Sequence, residues 1–91
     1  MATQVIIKGR VQGVGYRAWT AREAESRGLD GWVRNRRDGT VEALFAGDAD
    51  AVRHMVSACR SGPGFAQVTD VSATPAADPA RPGFHTLQTT D

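Results

Sequence analysis

The hydrophobic and polar positions alternate between two periods along the chain. Thr3–Val11 carries the β-branched run Val5, Ile6 and Ile7 and reads as a strand. From Arg17 to Arg27 the period lengthens. Ala18, Ala21 and Ala24 recur at threes with charged residues between them, which predicts a helix with a small-residue face. Gly28 is suited to end it. Leu29–Asn35 and Thr40–Ala46 read as strands joined by the hairpin signal Asp38-Gly39, so they should pair antiparallel. Asp48 can cap a second helix, in which Val52, Met55, Val56 and Cys59 form an i, i+3, i+4, i+7 stripe. Ala66–Ala73 predicts a fourth strand. Residues 74–83, with three prolines and little apolar content, predict a loop, and Phe84–Thr89 a short last strand.

The order is β-α-β-β-α-β. It implies an α+β, ferredoxin-like two-layer sandwich: an antiparallel sheet with two helices on one face. Ninety-one residues without an internal repeat or dividing linker form a single domain, 1–91. Such an order is reused for many purposes and does not fix an activity.

Composition narrows the classes. A net charge of +1 gives no reason to expect a nucleic-acid partner or a membrane surface. No apolar run approaches the ~20 residues of a membrane span, and no signal peptide is recognisable, so a cytoplasmic protein is expected. The single cysteine, Cys59, cannot form an intramolecular disulfide or a multi-cysteine metal site; it lies on the apolar stripe as a core residue. A monomer is expected.

The segment richest in chemistry is Gly9-Arg10-Val11-Gln12-Gly13-Val14-Gly15-Tyr16-Arg17. Glycines let a backbone turn several N–H groups toward one point. A helix beginning there adds orphan donors and a partial positive charge, and Arg17 adds a planar fork that matches phosphate oxygens. The segment lacks the Gly-Lys-Ser/Thr ending of a P-loop. Gly13-x-Gly15-x-x-Ala18 matches a dinucleotide fingerprint, but the hairpin at Asp38-Gly39 is at odds with the parallel sheet that fingerprint needs. From spacing alone, a purely structural loop and a small-anion cradle remain equal alternatives.

This segment resembles one signature of the acylphosphatase family. Gly31-Trp32-Val33-Arg34-Asn35-Arg36-Arg37-Asp38-Gly39-Thr40-Val41 resembles the second, around the hairpin. The resemblance extends over the domain and loosens after residue 74. It implies hydrolysis of acyl phosphates, with Arg17 binding the phosphoryl group and Asn35 orienting the attacking water. The backbone amides of Val11, Gln12, Gly13, Val14, Gly15 and Tyr16 would cradle the phosphate, and Thr40 would support the asparagine. A phosphate or sulfate ion is the implied occupant of the loop, and a small acyl phosphate the substrate.

The chemistry is self-consistent. A carboxylate leaving group has a pKa of about 4 and departs without a general acid. Neither motif places a histidine or carboxylate where a protein base would stand, and no cluster of metal ligands is present, so no metal and no cofactor are expected. His54 and His85 lie outside both motifs. Arg34, Arg36 and Arg37 read as solvated strand and turn residues, or as steering charges. Two other functions fit the same order: a regulatory domain that binds phosphate without turnover, and an RNA-recognition-like module. The second would need exposed aromatics on the central strands, and Val5-Ile6-Ile7-Lys8 has none.

Overall fold

A computed structural model describes residues 1–90. The elements are β1 (Ala2–Arg10), α1 (Tyr16–Ser26), β2 (Asp30–Asn35), β3 (Val41–Ala46), α2 (Ala49–Cys59), β4 (Gln67–Ala76) and β5 (Phe84–Thr86). The strands form one sheet in the order β4-β1-β3-β2-β5. The first four pair antiparallel, as the hairpin and helix spacing require. β5 joins β2 in parallel, so the sheet is mixed at that edge. The two-layer sandwich expected from the element order is therefore present, with one added parallel strand.

β3 is the central strand, and all six of its residues are buried. Val41, Ala43 and Phe45 point to the helical layer, where they join Val5, Ile7 and Val33 of the neighbouring strands and Ala24, Val52, Met55 and Cys59 of the helices. Phe45 stacks on Phe84 with centroids 5.7 Å apart. The opposite face carries a smaller cluster of Ala2, Leu44 and Ala46, flanked by Trp32 and Ala76. Trp32 thus belongs to the face away from the helices. There Glu42, only 7% exposed, accepts from Arg34 Nε at 2.8 Å and from the Gln4 side chain. A carboxylate this buried needs such partners, because burial without them would disfavour its charge.

The second helix follows its sequence pattern. Asp48 accepts from the Ala51 backbone N–H, and Val52, Met55 and Cys59 are buried. The first helix departs from it. Its buried residues are Tyr16, Thr20 and Ala24, at i, i+4 and i+8, whereas Ala18 is exposed. The alanine spacing pointed to a face rotated away from the real one, because the large ring of Tyr16 has more apolar surface to bury than any alanine.

Two further departures lie near the C-terminus: the last strand stops at Thr86 rather than Thr89, and residues 74–76 are strand rather than loop. Pro75, on the edge strand β4, pairs with Thr3 of β1. At an edge the missing N–H of proline can face solvent without breaking a ladder. Truncating Phe45 to alanine should cost about 3–5 kcal/mol by leaving a cavity in the core. Phe65→Ala, at a ring that is 84% exposed, should change stability by less than about 0.5 kcal/mol. Chemical denaturation of the two variants measures both.

Candidate functional site

β1 ends at Arg10, and five residues carry the chain into α1. The turn is made by Gly13 and Gly15 at φ of 74° and 79°. A Cβ at either position would meet nothing within 4 Å, so it is the left-handed backbone, not crowding, that calls for glycine. Gly15 is the N-cap of α1. No side chain caps this helix, and no acidic residue stands in its first turn. Its leading N–H groups are therefore left with the partial positive charge of the helix end.

Tyr16 is the first helical residue and is 1% exposed. Its hydroxyl donates to the Cys59 carbonyl at 2.6 Å. That carbonyl stands at the end of α2, and the residue four positions on is Pro63, which has no N–H to offer it. The tyrosine supplies the missing donor. Its ring also lies against Trp19, with centroids 5.3 Å apart.

Across from the loop stands the β2–β3 hairpin. Its turn is set by Asp38, whose carboxylate accepts from the Thr40 hydroxyl at 2.6 Å and from the Thr40 N–H at 3.0 Å. Those two bonds, with Arg36 and Lys8 nearby, hold the Asp38 carboxyl below the usual carboxylate range. The Thr40 hydroxyl is thus directed to Asp38, while its carbonyl accepts from the Arg36 N–H at 2.9 Å. Asn35 ends β2. Its carbonyl accepts from Thr90 N at 3.0 Å, and its buried Oδ1 has no hydrogen-bond partner among the described residues.

A cavity of about 320 Å³ lies between loop and hairpin. Gly13, Gly15, Arg17, Ala18, Asn35 and Thr86 line it, together with Val11 and Tyr16. The two motifs, eighteen positions apart at Arg17 and Asn35, therefore share one wall. Of the other loop residues, Gln12 turns its side chain to the hairpin: Nε2 donates to Arg36 O at 2.7 Å and to Thr40 O at 2.9 Å. Val14 packs partly buried against the core. Among the described residues Arg17 forms no ion pair, and no carboxylate or histidine lines the cavity. His54 is exposed on α2, and His85 contacts the Pro82 carbonyl at 2.8 Å. Among the described residues no group of three His, Cys, Asp or Glu side chains is gathered.

Sequence reasoning missed Thr86, the Gln12 side chain and the tail that reaches Asn35 through Thr90. Thr86 lies beyond both motifs in a stretch that read only as a short strand. No local pattern signalled that its strand would join β2.

Fold and cavity define an α+β sandwich with a cleft built by a glycine turn and a hairpin. The acylphosphatase family model matches residues 3–86, and the chain belongs to that family. The acylphosphatase of Nitrobacter winogradskyi is 61% identical over 84 residues, 88% of this chain and 85% of that protein. That of Acidiphilium cryptum is 56% identical over 84 residues, 92% of each. A crystal structure of acylphosphatase from Bacillus subtilis superposes with a TM-score of 0.89 at 40% identity, covering 94% of this chain and 97% of that one. No helix among the described residues is long and apolar enough to cross a membrane.

Burial holds Tyr16 and Cys59 neutral: it pushes the tyrosine well above its ordinary range and the thiol to about 11. In the unfolded chain the thiol ionises near its ordinary value of 9.0. Raised acids of this kind contribute stability that is complete below the unfolded value and is lost as pH climbs toward the folded one. Thermal unfolding should therefore be flat from about pH 7 to 8.5 and fall between about pH 9 and 11. Cys59→Ala should show a shallower fall. A melting temperature that rises across this span contradicts the assignment.

Proposed function

We propose that the chain hydrolyses acyl phosphates to a carboxylate and inorganic phosphate in the cleft between loop and hairpin. One observation carries the reading beyond family membership. An arginine with no ion pair among the described residues, an uncapped helix N-terminus and the Asn35 side chain meet in a single cavity.

Each feature has a task in this reaction. The backbone N–H groups between Val11 and Tyr16 surround the phosphoryl oxygens, and Arg17 adds charge-assisted bonds to them. These donors are in place before the substrate arrives, so little reorganisation accompanies charge build-up. The Asn35 side-chain amide orients the attacking water so that its lone pair faces phosphorus. A neutral amide does this without repelling a dianion, as a carboxylate would. The carboxylate leaves unprotonated, which is why a cavity with no histidine or acid among its described lining residues suffices. A phosphoryl oxygen of the substrate takes the water proton. Thr40 and Asp38 shape the turn that follows Asn35. Charge neutralisation by Arg17 and the amides replaces the role a divalent cation has in other phosphoryl transfers.

Hydrolysis of benzoyl phosphate, followed by absorbance, tests the reading. Phosphate binding without turnover would instead favour a regulatory domain. Removing one preorganised donor costs on the order of 3–4 kcal/mol, so Arg17→Ala should lose at least ~100-fold in turnover and bind inhibitory phosphate more weakly. Asn35→Ala should lose kcat to a similar degree while phosphate inhibition persists. Equal loss of phosphate affinity in both variants would contradict this division of roles. Turnover should also persist in excess chelator; abolition by chelator with recovery on adding Mg²⁺ would overturn the metal-free scheme.

A further inference from the structure

The backbone of the loop at 11–15 makes no hydrogen bond to the backbone of the hairpin at 35–41 among the described residues. The bonds that join them come from one side chain. Gln12 Nε2 lies 2.7 Å from Arg36 O and 2.9 Å from Thr40 O, residues 24 and 28 positions away. Each carbonyl already accepts one backbone bond: Arg36 O from Gly39 N at 3.1 Å, and Thr40 O from Arg36 N at 2.9 Å. A carbonyl oxygen has two lone pairs, so the Gln12 amide fills the second on each.

We propose that Gln12 is a positioning residue, whose side-chain amide sets the separation between the loop that carries Arg17 and the hairpin that carries Asn35. The inference rests on the acyl phosphate reading of this cleft and adds to it a residue whose backbone alone had been assigned a task. A side-chain amide has two N–H bonds, and both are directed to the hairpin. The Gln12 side chain therefore has no donor left for a phosphoryl group. Its influence on the reaction passes through Asn35, whose own carbonyl carbon is bonded to the nitrogen of Arg36. Arg36 is the residue that Gln12 grips. Half-buried Gln12 spans the gap with three rotatable bonds, and asparagine would be one methylene too short.

The roles of the two halves predict how the loss divides. The phosphate cradle is local to loop and helix, so it survives when the clamp is cut. The water-holding amide belongs to the hairpin, so it drifts. A displacement of about 1 Å can cost 10²-fold in rate. Gln12→Met, of similar length but without a donor, should lower kcat by about 10–100-fold and leave the inhibition constant of inorganic phosphate within about 3-fold. In an Asn35→Ala background the same substitution should cost less than about 2-fold further, because residues that act as a unit are not additive. A generic structural defect would instead slow both backgrounds alike.

Proton exchange reads the clamp without any substitution. In the unmodified chain the two Nε2 protons of Gln12 should exchange with water more slowly than those of Gln88, which is exposed. Exchange at the Gln88 rate overturns the proposal, as does equal loss of phosphate affinity in Gln12→Met or a full additional loss in the Asn35→Ala background. Should Gln12→Met fail to fold, Gln12→Asn carries the same comparison. An unmodified chain that turns over benzoyl phosphate while Gln12→Met matches it sinks this inference alone. A folded, unmodified chain with no turnover sinks the functional reading and this inference together.

Discussion

The burial of Tyr16 is the constraint on which the cleft depends. It is the first residue of α1, and its ring and hydroxyl are committed to the core. In a helix each residue advances the side-chain direction by about 100°. Once Tyr16 points inward, Arg17 is carried to the flank that borders the cavity. The same contact fastens the beginning of α1 to the end of α2. A Cβ at Gly62 would approach the Tyr16 ring to 2.6 Å, so the chain leaving α2 is glycine where the ring passes. One aromatic residue thus fixes the loop from below, ends a helix that proline leaves short of a donor, and aims the arginine.

Topology then brings the second half of the cleft to the first. β1 and β2 each lie antiparallel to β3 and are therefore parallel to one another across it. Their C-terminal ends emerge at the same end of the sheet, one leading into the glycine turn and the other finishing at Asn35. β5 runs parallel to β2, so its last residue, Thr86, arrives at that end as well. Three separate stretches of chain supply the cavity because three parallel strands finish there. The tail beyond β5 continues along β2 through Leu87 N to Val33 O and Thr90 N to Asn35 O, which holds the asparagine backbone from the outer side.

Much of this was legible in the chain. The element order, the hairpin at Asp38-Gly39, the Asp48 cap and the stripe of α2 follow from local patterns whose physics is local. Arg17 and Asn35 were identifiable through two motifs, but spacing alone could not show that they share a cavity; that needed the register of the sheet. The patterns that misled did so where a non-local term outweighed a local one. Three alanines mark a plausible face of α1, yet a buried tyrosine ring decides its rotation. Pro75 reads as a breaker, yet on an edge strand its missing donor costs little. The side chain of Gln12 carried no signal at all, since its partners are backbone carbonyls that any sequence would have.

The charges of the hairpin complete the logic of the cleft. A carboxylate turned toward a phosphoryl group would cancel what Arg17 and the amides provide. Two acidic residues follow Asn35 in the hairpin, and the fold directs both elsewhere. Asp38 is held by the hydroxyl and N–H of Thr40 at the tip of the turn. Glu42 follows the alternation of β3 to the face away from the helices, where Arg34 and Gln4 satisfy it. Arg34, whose guanidinium also lies 4.5 Å from the Trp32 ring centre, is thereby held on that face by groups other than substrate. The near-neutral chain therefore contains a cavity whose ionised lining side chain, among the described residues, is one arginine. Beyond the ~8–10 Å over which salt screens exposed charges, the surface has little net field to contribute. The proposed selectivity for an anion is accordingly a short-range property, set by where Arg17 and the open helix end stand and by which carboxylates the strand alternation keeps away from them.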